Sequence, residues 1–313
     1  MEKRGLHEVS QLITGSVDSR NRICLYEKTF FTIRNTTERE RLMASILDQT
    51  YKLKSGYTMP VLGLGTWELT GKACEKTVSK AIELGYRHID TAELYGNEAE
   101  IGKAIKDADR SQLFITSKVG SSNLRTNDLL KACQASLDRL DTDYLDLYLV
   151  HWPNDSIALE QTMEAMQKLV DDGGVRSIGL SNFDVQRMEA AISISQPPIC
   201  NNQVEYHPFR PRREIPEFCR EHGISLTAYC PLARGKVLKN ATLGQIGEKY
   251  GKTPAQVSLR WLLEKGAVVI PKASSEEHLK ENMDLDGWEL SSEDIEAIDS
   301  LGAEHKLVDT TYT

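Results

Sequence analysis

From Tyr51 onward, short apolar runs alternate with longer amphipathic stretches along the chain. The longer stretches repeat apolar residues at the spacing of one helix face, whereas the short runs are apolar throughout. Runs of the second kind are typical of strands buried on both faces, as in a parallel sheet. The predicted strands are 61–65, 86–90, 113–117, 144–150, 175–180, 198–204, 225–229 and 267–270.

Helical patterns fill the intervals between these strands. The predicted helices are 73–84, 98–106, 127–140, 159–172, 185–193, 212–221 and 253–265, with one further helix at 293–300 near the C-terminus. Eight strands joined by crossover helices, with no edge-strand signature, predict a closed α/β barrel of the (β/α)8 TIM type. Residues 51–60 predict a hairpin with its turn at Ser55-Gly56, which would close the bottom of the barrel.

A doubly wound sheet is the competing fold. Its dinucleotide-binding turn requires Gly-x-Gly-x-x-Gly after the first strand. The stretch Gly63-Leu64-Gly65-Thr66-Trp67-Glu68 lacks the third glycine. The barrel is therefore the preferred interpretation.

Residues 1–42 differ from the rest of the chain. They hold a small excess of basic over acidic side chains and only one plausible strand, although the whole chain carries a formal charge of -8. We expect 1–42 to be an extension outside the core, with Met43 as an alternative start, and 43–313 to form a single barrel domain.

Composition excludes several classes of function. A negative net charge without a basic stripe argues against nucleic acid as a partner. No apolar run is long enough to span a bilayer, and no secretory segment is evident, so no membrane is expected and the cytoplasm is the predicted location. The cysteines lack the spacing of a zinc site or a disulfide framework, so we predict no metal and reduced thiols. They are Cys24, Cys74, Cys133, Cys200, Cys219 and Cys230.

Polar and aromatic side chains stand where the predicted strands end. A barrel brings the carboxyl ends of all its strands to one mouth, so these residues are expected to converge. Each alone has an ordinary explanation, such as a helix cap or a core aromatic, but together they form a chemically complete set. In chain order they are Trp67, Asp90, Tyr95, Lys118, His151, Trp152, Ser181, Asn182, Gln203, Tyr229 and Lys272.

The set is suited to proton transfer onto a carbonyl oxygen. A phenol is a weak acid at neutral pH, but an ammonium about 4 Å away would lower its pKa by about three units. We therefore expect Lys118 to lower the pKa of Tyr95, Asp90 to hold Lys118 charged, and His151 to orient the carbonyl. No side chain can supply a hydride, which implies a nicotinamide cofactor.

Seven motifs follow one another from the first predicted strand to the last. They are Gly63-Leu-Gly-Thr-Trp67, Asp90-Thr-Ala-Glu-Leu-Tyr95-Gly-Asn-Glu98, Ser117-Lys118, His151-Trp-Pro153, Gly179-Leu-Ser-Asn-Phe183, Asn202-Gln-Val-Glu-Tyr-His-Pro208 and Ile270-Pro-Lys272. In order and spacing they resemble the motifs of the aldo-keto reductase superfamily, and in particular of its short-loop prokaryotic-type aldehyde and keto reductases. The resemblance covers the chain from Tyr51 to its end.

The resemblance implies a role for each matched residue. Asp90, Tyr95, Lys118 and His151 would form the catalytic tetrad. The nicotinamide would be held through its carboxamide and stacked on an aromatic ring, and the pyrophosphate would lie along the loop after the seventh strand. The implied cofactor contacts are Thr66, Trp67, Asp90, Ser181, Asn182, Gln203, Tyr229, Cys230 and Leu232.

A second cofactor segment follows the last strand. Family members that prefer NADP commonly place Lys at the position of Lys272 and Arg at that of His278, around the 2′-phosphate. Histidine is a poorer phosphate ligand than a guanidinium, so NADPH is expected to be preferred less strictly than usual, with NADH as a second donor. The implied contacts here are Lys272, Ser274, Ser275, His278, Glu281 and Asn282.

The substrate is expected to be a small carbonyl compound. Trp67 and Trp152 would supply flat apolar walls beside Tyr95 and His151, and short flanking loops predict an open pocket with broad substrate use. We expect a monomer that reduces aldehydes or ketones with NAD(P)H. Two alternatives are a barrel aldolase that uses Lys118 as a Schiff base and a non-catalytic relative that only binds the cofactor.

Overall fold

The computed structural model describes residues 45–302. The extension predicted at 1–42 lies outside them, as do Met43 and Cys24. The strands are β1 (Thr50–Lys52), β2 (Thr58–Pro60), β3 (Gly63–Gly65), β4 (His88–Asp90), β5 (Phe114–Val119), β6 (Leu147–Val150), β7 (Ile178–Ser181), β8 (Ile199–Glu205), β9 (Ser225–Tyr229) and β10 (Ala267–Val269).

Strands β3 to β10 form one parallel sheet in which each strand pairs with its neighbour in the chain. The first and last strands also meet: Leu62 bridges Val269 in parallel, and the amide of Gly65 donates to the carbonyl of Pro271 at 3.2 Å. The sheet therefore closes into the predicted barrel, because a doubly wound sheet would leave two open edges. All eight predicted strands overlap observed ones.

Helices cover the outside of the barrel. They are α1 (Gly71–Glu83), α2 (Glu98–Ile105), α3 (Thr126–Leu140), α4 (Leu159–Asp171), α5 (Val185–Ile194), α6 (Glu214–Glu221), α7 (Ala241–Tyr250), α8 (Pro254–Glu264), α9 (Glu276–Met283) and α10 (Ser292–Asp299). Short 3-10 helices occur at Ile46–Asp48, Glu93–Tyr95, Arg110–Gln112, Ser121–Asn123 and Ala233–Lys239. The predicted helices match α1 to α6, α8 and α10 within two residues.

Helices α7 and α9 were not predicted. Glycines weaken the helical pattern of α7, because glycine has a low helix propensity. One of them, Gly247, is needed for packing: a Cβ there would lie 2.3 Å from the carbonyl oxygen of Lys252. Helix α9 has few apolar residues and begins at a Ser275 cap, whose Oγ accepts a hydrogen bond from the His278 amide at 3.3 Å.

The predicted hairpin is confirmed as strands β1 and β2, which pair antiparallel with Tyr51 opposite Met59. Its turn contains Gly56 at a φ of +93°, a conformation that favours glycine. The Oγ of Ser55 lies 2.7 Å from that of Ser177, directly before β7. The hairpin thus covers the end of the barrel where the strands begin, and the opposite end is left as the mouth.

Every residue of β5 to β8 is buried, as expected for strands packed on both faces. Within residues 45–302, no helix is long and apolar enough to cross a bilayer. In the same residues, no group of three or more His, Cys, Asp or Glu side chains is placed to hold a metal ion.

Candidate active site

The mouth of the barrel brings together the four residues predicted as a tetrad. Asp90 is the last residue of β4, Lys118 lies near the end of β5, and His151 directly follows β6. Tyr95 closes the short 3-10 helix that links β4 to α2. Neighbouring parallel strands therefore place the acid, the ammonium and the imidazole at one edge, with the phenol above them.

Lys118 is the centre of this group. Its Nζ donates to Asp90 Oδ1 at 2.5 Å, to the Thr91 carbonyl at 2.8 Å and to the Tyr95 hydroxyl at 3.4 Å. An ammonium has three donors, and all three are aimed at oxygen atoms. Lys118 and Asp90 are both buried, so solvent does not compete for the pair.

The second carboxylate oxygen of Asp90 accepts a hydrogen bond from Gln203 Nε2 at 2.7 Å. Gln203 is itself linked to β7, because Ser181 Oγ donates to its carbonyl at 2.9 Å. The buried carboxylate is therefore satisfied on both oxygens, as a buried charge requires. The same bonds tie strands β4, β5, β7 and β8 into one network.

The predicted lowering of the Tyr95 pKa is wrong. Burial raises the pKa of Tyr95 well above its usual value, and the negative charge of Asp90 raises it further. The Lys118 ammonium, which is paired with the Asp90 carboxylate 2.5 Å away, lowers this pKa by less than burial raises it. Tyr95 is therefore a neutral phenol that carries its proton throughout the physiological range.

His151 packs edge-to-face against Tyr95, with ring centroids 5.7 Å apart. Burial lowers the pKa of His151 to about 3, and the nearby Lys118 charge contributes. Its Nδ1 is buried and has no hydrogen-bond partner among residues 45–302. The imidazole is therefore neutral near pH 7 and can take part in hydrogen bonds, but it is not a proton reservoir.

Asn182 connects the tetrad to the end of β9. Its Nδ2 donates to the His151 carbonyl at 3.0 Å, and its Oδ1 accepts from the Tyr229 hydroxyl at 2.8 Å. The cap of the next helix is Asp184, whose carboxylate accepts from the Arg187 amide. The alternative explanation of Asn182 as a helix cap is therefore excluded. Its backbone φ of +64° is uncommon for a residue other than glycine.

A cavity of about 530 Å³ opens at the mouth on the side of β6 to β9. Its walls include Trp152, Asn182 and Tyr229. Trp152 directly follows His151 in the chain and lines this space, but none of Asp90, Tyr95, Lys118 and His151 is among its walls. Trp67 is 38% exposed and packs instead under the Arg234 guanidinium, which lies 4.9 Å from the ring centroid.

Arg234 belongs to a loop that sequence reasoning only partly identified. Cys230, Ala233 and Arg234 all have φ near +50°, in the left-handed region that disfavours side chains. Such strain persists where the surroundings impose it, and it is concentrated at functional sites. Leu232 lies within the same loop, directly before the 3-10 helix Ala233–Lys239.

The sequence analysis did not identify two further polar residues near Tyr95, which are Glu93 and Asn97. The Glu93 carboxylate accepts from the Gly120 amide and from Asn123 Nδ2, which ties the Tyr95 turn to the loop after β5. Asn97 Nδ2 donates to the Thr66 carbonyl at 2.9 Å, and Thr66 Oγ1 donates to the Asp90 carbonyl at 2.9 Å. Both Glu93 and Asn97 lie within the Asp90–Glu98 motif, which was the available signal.

The segment after β10 is divided between two environments. Lys272, Ser274 and His278 are exposed, and Lys272 Nζ pairs with Glu68 Oε2 at 3.0 Å. Glu281 is turned toward α8, where it accepts from Thr253 Oγ1 at 2.7 Å, and Asn282 is buried. The exposed members remain accessible to an anionic ligand.

The fold and the mouth define a (β/α)8-barrel enzyme with a buried lysine and carboxylate beside a partly buried phenol at the carboxyl ends of its strands. A family model described as the Aldo/keto reductase family matches residues 61–303. The chain therefore belongs to the aldo/keto reductase family of oxidoreductases.

Two curated relatives and one solved structure illustrate the similarity. The chain is 42% identical to the glyoxal reductase of Bacillus subtilis, with 85% of this chain and 97% of that protein covered. It is 40% identical to the methylglyoxal reductase DkgB of Escherichia coli, with 80% and 96% covered. The aldose reductase of Schistosoma japonicum superposes with a TM-score of 0.80 at 34% identity, over 83% of this chain and 94% of that one.

Proposed function

We propose that this protein reduces small aldehydes and ketones with NADPH, and that 1,2-dicarbonyl compounds such as glyoxal and methylglyoxal are among its substrates. The observation that carries the proposal is the contact of the Lys118 ammonium with both Asp90 and Tyr95 at the mouth. The names of the Bacillus and Escherichia relatives support the substrate class.

Tyr95 is the proposed proton donor. When bound, NADPH supplies the hydride that reduces the carbonyl carbon. Because burial keeps the Tyr95 pKa high, the phenol holds a proton to give as negative charge grows on the carbonyl oxygen. Lys118 then stabilises the phenolate that remains, across a contact already 3.4 Å long.

His151 and Asp90 have supporting roles in the proposal. The neutral His151 ring packs on Tyr95 and can hydrogen-bond the carbonyl oxygen, which fixes the direction of approach. Asp90 keeps Lys118 charged, because the ion pair opposes the lowering of the Lys118 pKa by burial. His151 itself is a poor acid here, so the proton is assigned to Tyr95.

The residues around the mouth fit a nicotinamide cofactor. Ser181, Asn182 and Gln203 present amide and hydroxyl groups that can hydrogen-bond a carboxamide, and Tyr229 offers an aromatic ring beside them. The strained loop at Cys230 and Leu232 would follow the pyrophosphate. Thr66 and Trp67 would contact the cofactor from the loop after β3.

The 2′-phosphate is assigned to the exposed segment after β10. Lys272, Ser274, Ser275 and His278 provide one ammonium, two hydroxyls and an imidazole, but no guanidinium. We therefore propose that NADPH is preferred and NADH is also accepted. Glu281 and Asn282, at the far end of the segment, would contact the cofactor away from this phosphate.

Initial rates with two donors and several carbonyl compounds test this function. We expect NADPH oxidation with methylglyoxal, glyoxal and benzaldehyde, at a kcat/KM higher than with NADH. Trp152→Ala, which removes an aromatic wall of the cavity at the mouth, should raise KM for benzaldehyde more than for glyoxal. No oxidation of either donor with any of these carbonyl compounds would refute the proposal.

The Schiff-base alternative is disfavoured by the same geometry. A lysine nucleophile must be neutral and unpaired, whereas Lys118 Nζ is held by a carboxylate at 2.5 Å. Borohydride trapping of a substrate adduct on Lys118 would restore that alternative. A non-catalytic relative would bind NADPH without oxidising it in the presence of any carbonyl compound.

A further inference from the structure

The ion pair between Lys272 and Glu68 joins two loops at the mouth. Lys272 follows β10 and Glu68 follows β3, and these two strands are the ones that meet to close the barrel. Nζ and Oε2 are 3.0 Å apart. The side chains are 42% and 56% exposed, so the pair lies at the surface, where a ligand can reach it.

Glu68 is held in place by its backbone. Its φ is +63°, and the turn around it is closed by the bond from the Leu69 amide to the Thr66 carbonyl at 3.0 Å. Thr66 is anchored to Asp90, and the preceding Trp67 ring lies under Arg234. The carboxylate therefore extends from a fixed turn next to the ammonium.

We propose that Glu68 is a specificity-determining residue that weakens the discrimination between NADPH and NADH. The inference rests on the proposed function, in which Lys272 receives the 2′-phosphate. A phosphate that approaches Lys272 must either displace the Glu68 carboxylate, which loses the Lys272–Glu68 attraction, or lie beside it, where the two negative charges repel. The 2′-hydroxyl of NADH carries no charge and meets no such repulsion.

The test is the affinity of the two dinucleotides for the protein without substrate, from quenching of tryptophan fluorescence. Glu68→Gln removes the competing carboxylate and should raise the affinity for NADPH. Because the pair is exposed and screened by salt, the increase should be only about three- to tenfold at low ionic strength. The same change should alter NADH affinity by less than about twofold. The NADPH effect should shrink as salt is raised.

Glu83→Gln is the matched control, because Glu83 is an exposed partner of Lys80 on helix α1 and its loss changes the net charge equally. It should leave both affinities unchanged. In a Lys272→Met background, Glu68→Gln should lose its selective effect on NADPH.

An equal change for NADPH and NADH in Glu68→Gln, a weaker NADPH affinity, or an equal effect of Glu83→Gln would overturn the role of Glu68. If the wild-type protein binds neither dinucleotide, the proposed function fails first and this inference fails with it.

Discussion

Two buried carboxylates lie at opposite ends of the barrel, and their surroundings differ in one respect. Asp146, directly before β6, accepts from the Ile115 amide and from Arg110 and Arg176. Those guanidiniums stack on the Tyr144 ring at 4.0 and 3.7 Å. At the mouth, Asp90 pairs with Lys118, which also contacts the hydroxyl of Tyr95.

The difference separates stability from chemistry. The hydrogen bonds and ion pairs around Asp146 are all made within the protein, so the cluster fixes the positions where β5, β6 and β7 begin and offers nothing to a ligand. The network around Asp90 instead ends in a phenol at the mouth, and the adjacent His151 ring has an Nδ1 without a hydrogen-bond partner among residues 45–302. The first cluster should matter for folding and the second mainly for catalysis.

The largest expected effect is that of Lys118→Met. Loss of the ammonium removes the group that stabilises the Tyr95 phenolate, so kcat/KM for methylglyoxal should fall by about 10³-fold. An unpaired buried carboxylate should also lower the free energy of unfolding by about 3 kcal/mol. Steady-state kinetics and urea denaturation measure the two effects.

Arg176→Met is the matched change at the other end, because it also removes a cation from a buried carboxylate. It should lower stability while kcat/KM stays within about twofold of the wild-type value. A loss of activity equal to that of Lys118→Met would show that the two ends do not differ in the way described.

Asp146→Asn should have the next largest effect, and on stability alone. It removes the charge that two guanidiniums and the Ile115 amide share, which should cost about 2–4 kcal/mol of unfolding free energy. The activity of the folded protein should not change. Unaltered stability in urea would contradict the assignment of this cluster to folding.

The sequence also predicts the residues of the mouth better than those of the opposite end of the barrel. The barrel, all eight of its strands and the convergence of Asp90, Tyr95, Lys118 and His151 followed from apolar periodicity and from the residues at strand ends. The cluster around Asp146 was not predicted, because its partners are ordinary charged residues before strands. Only the folded register brings Arg110 and Arg176 to the same carboxylate.

The site was predicted in position but not in its electrostatics. From the sequence, Lys118 could be counted as a positive charge near Tyr95, but the depth of burial and the balance by Asp90 could not. Helix α7 was missed for a related reason: Gly247 lowers helix propensity locally, and only tertiary packing shows why it is there. Burial and long-range packing are the properties that local patterns do not contain.

A smaller effect concerns stability at acid pH. Burial lowers the pKa of His88 to about 4 and that of His151 to about 3, against an ordinary value of 6.5. Below pH 6.5 the unfolded chain takes up protons on these two histidines, whereas the folded protein keeps both rings neutral. The free energy of unfolding is therefore highest above pH 6.5 and falls as the pH drops toward the pKa values of the folded protein. For His88 the loss approaches about 3 kcal/mol.

The measurement is the slope of unfolding free energy against pH between 6.5 and 4. His88 lies where β4 begins, bonded to Thr116 Oγ1 at 3.1 Å, and His151 lies at the mouth. His88→Gln and His151→Gln should each flatten the slope. A slope unaffected by either change would contradict the buried, neutral state of these rings.

The smallest expected effect is that of pH on the reductive rate. A proton donor must be protonated, and a raised pKa moves the loss of activity to higher pH. Because the pKa of Tyr95 is raised rather than lowered, kcat/KM for methylglyoxal reduction should be nearly constant from pH 7 to about 9. A decline with a midpoint near pH 7 would instead show that Lys118 lowers the pKa of Tyr95 below its usual value.

The most direct test of Tyr95 as the proton donor is single-turnover reduction of methylglyoxal by the NADPH-bound Tyr95→Phe variant, with NADPH affinity measured on the same sample. Tyr57→Phe, on the exposed hairpin, is the control. We predict unchanged NADPH affinity in both variants and a rate lowered by about 10³-fold in Tyr95→Phe alone. A wild-type rate in Tyr95→Phe would contradict the assignment.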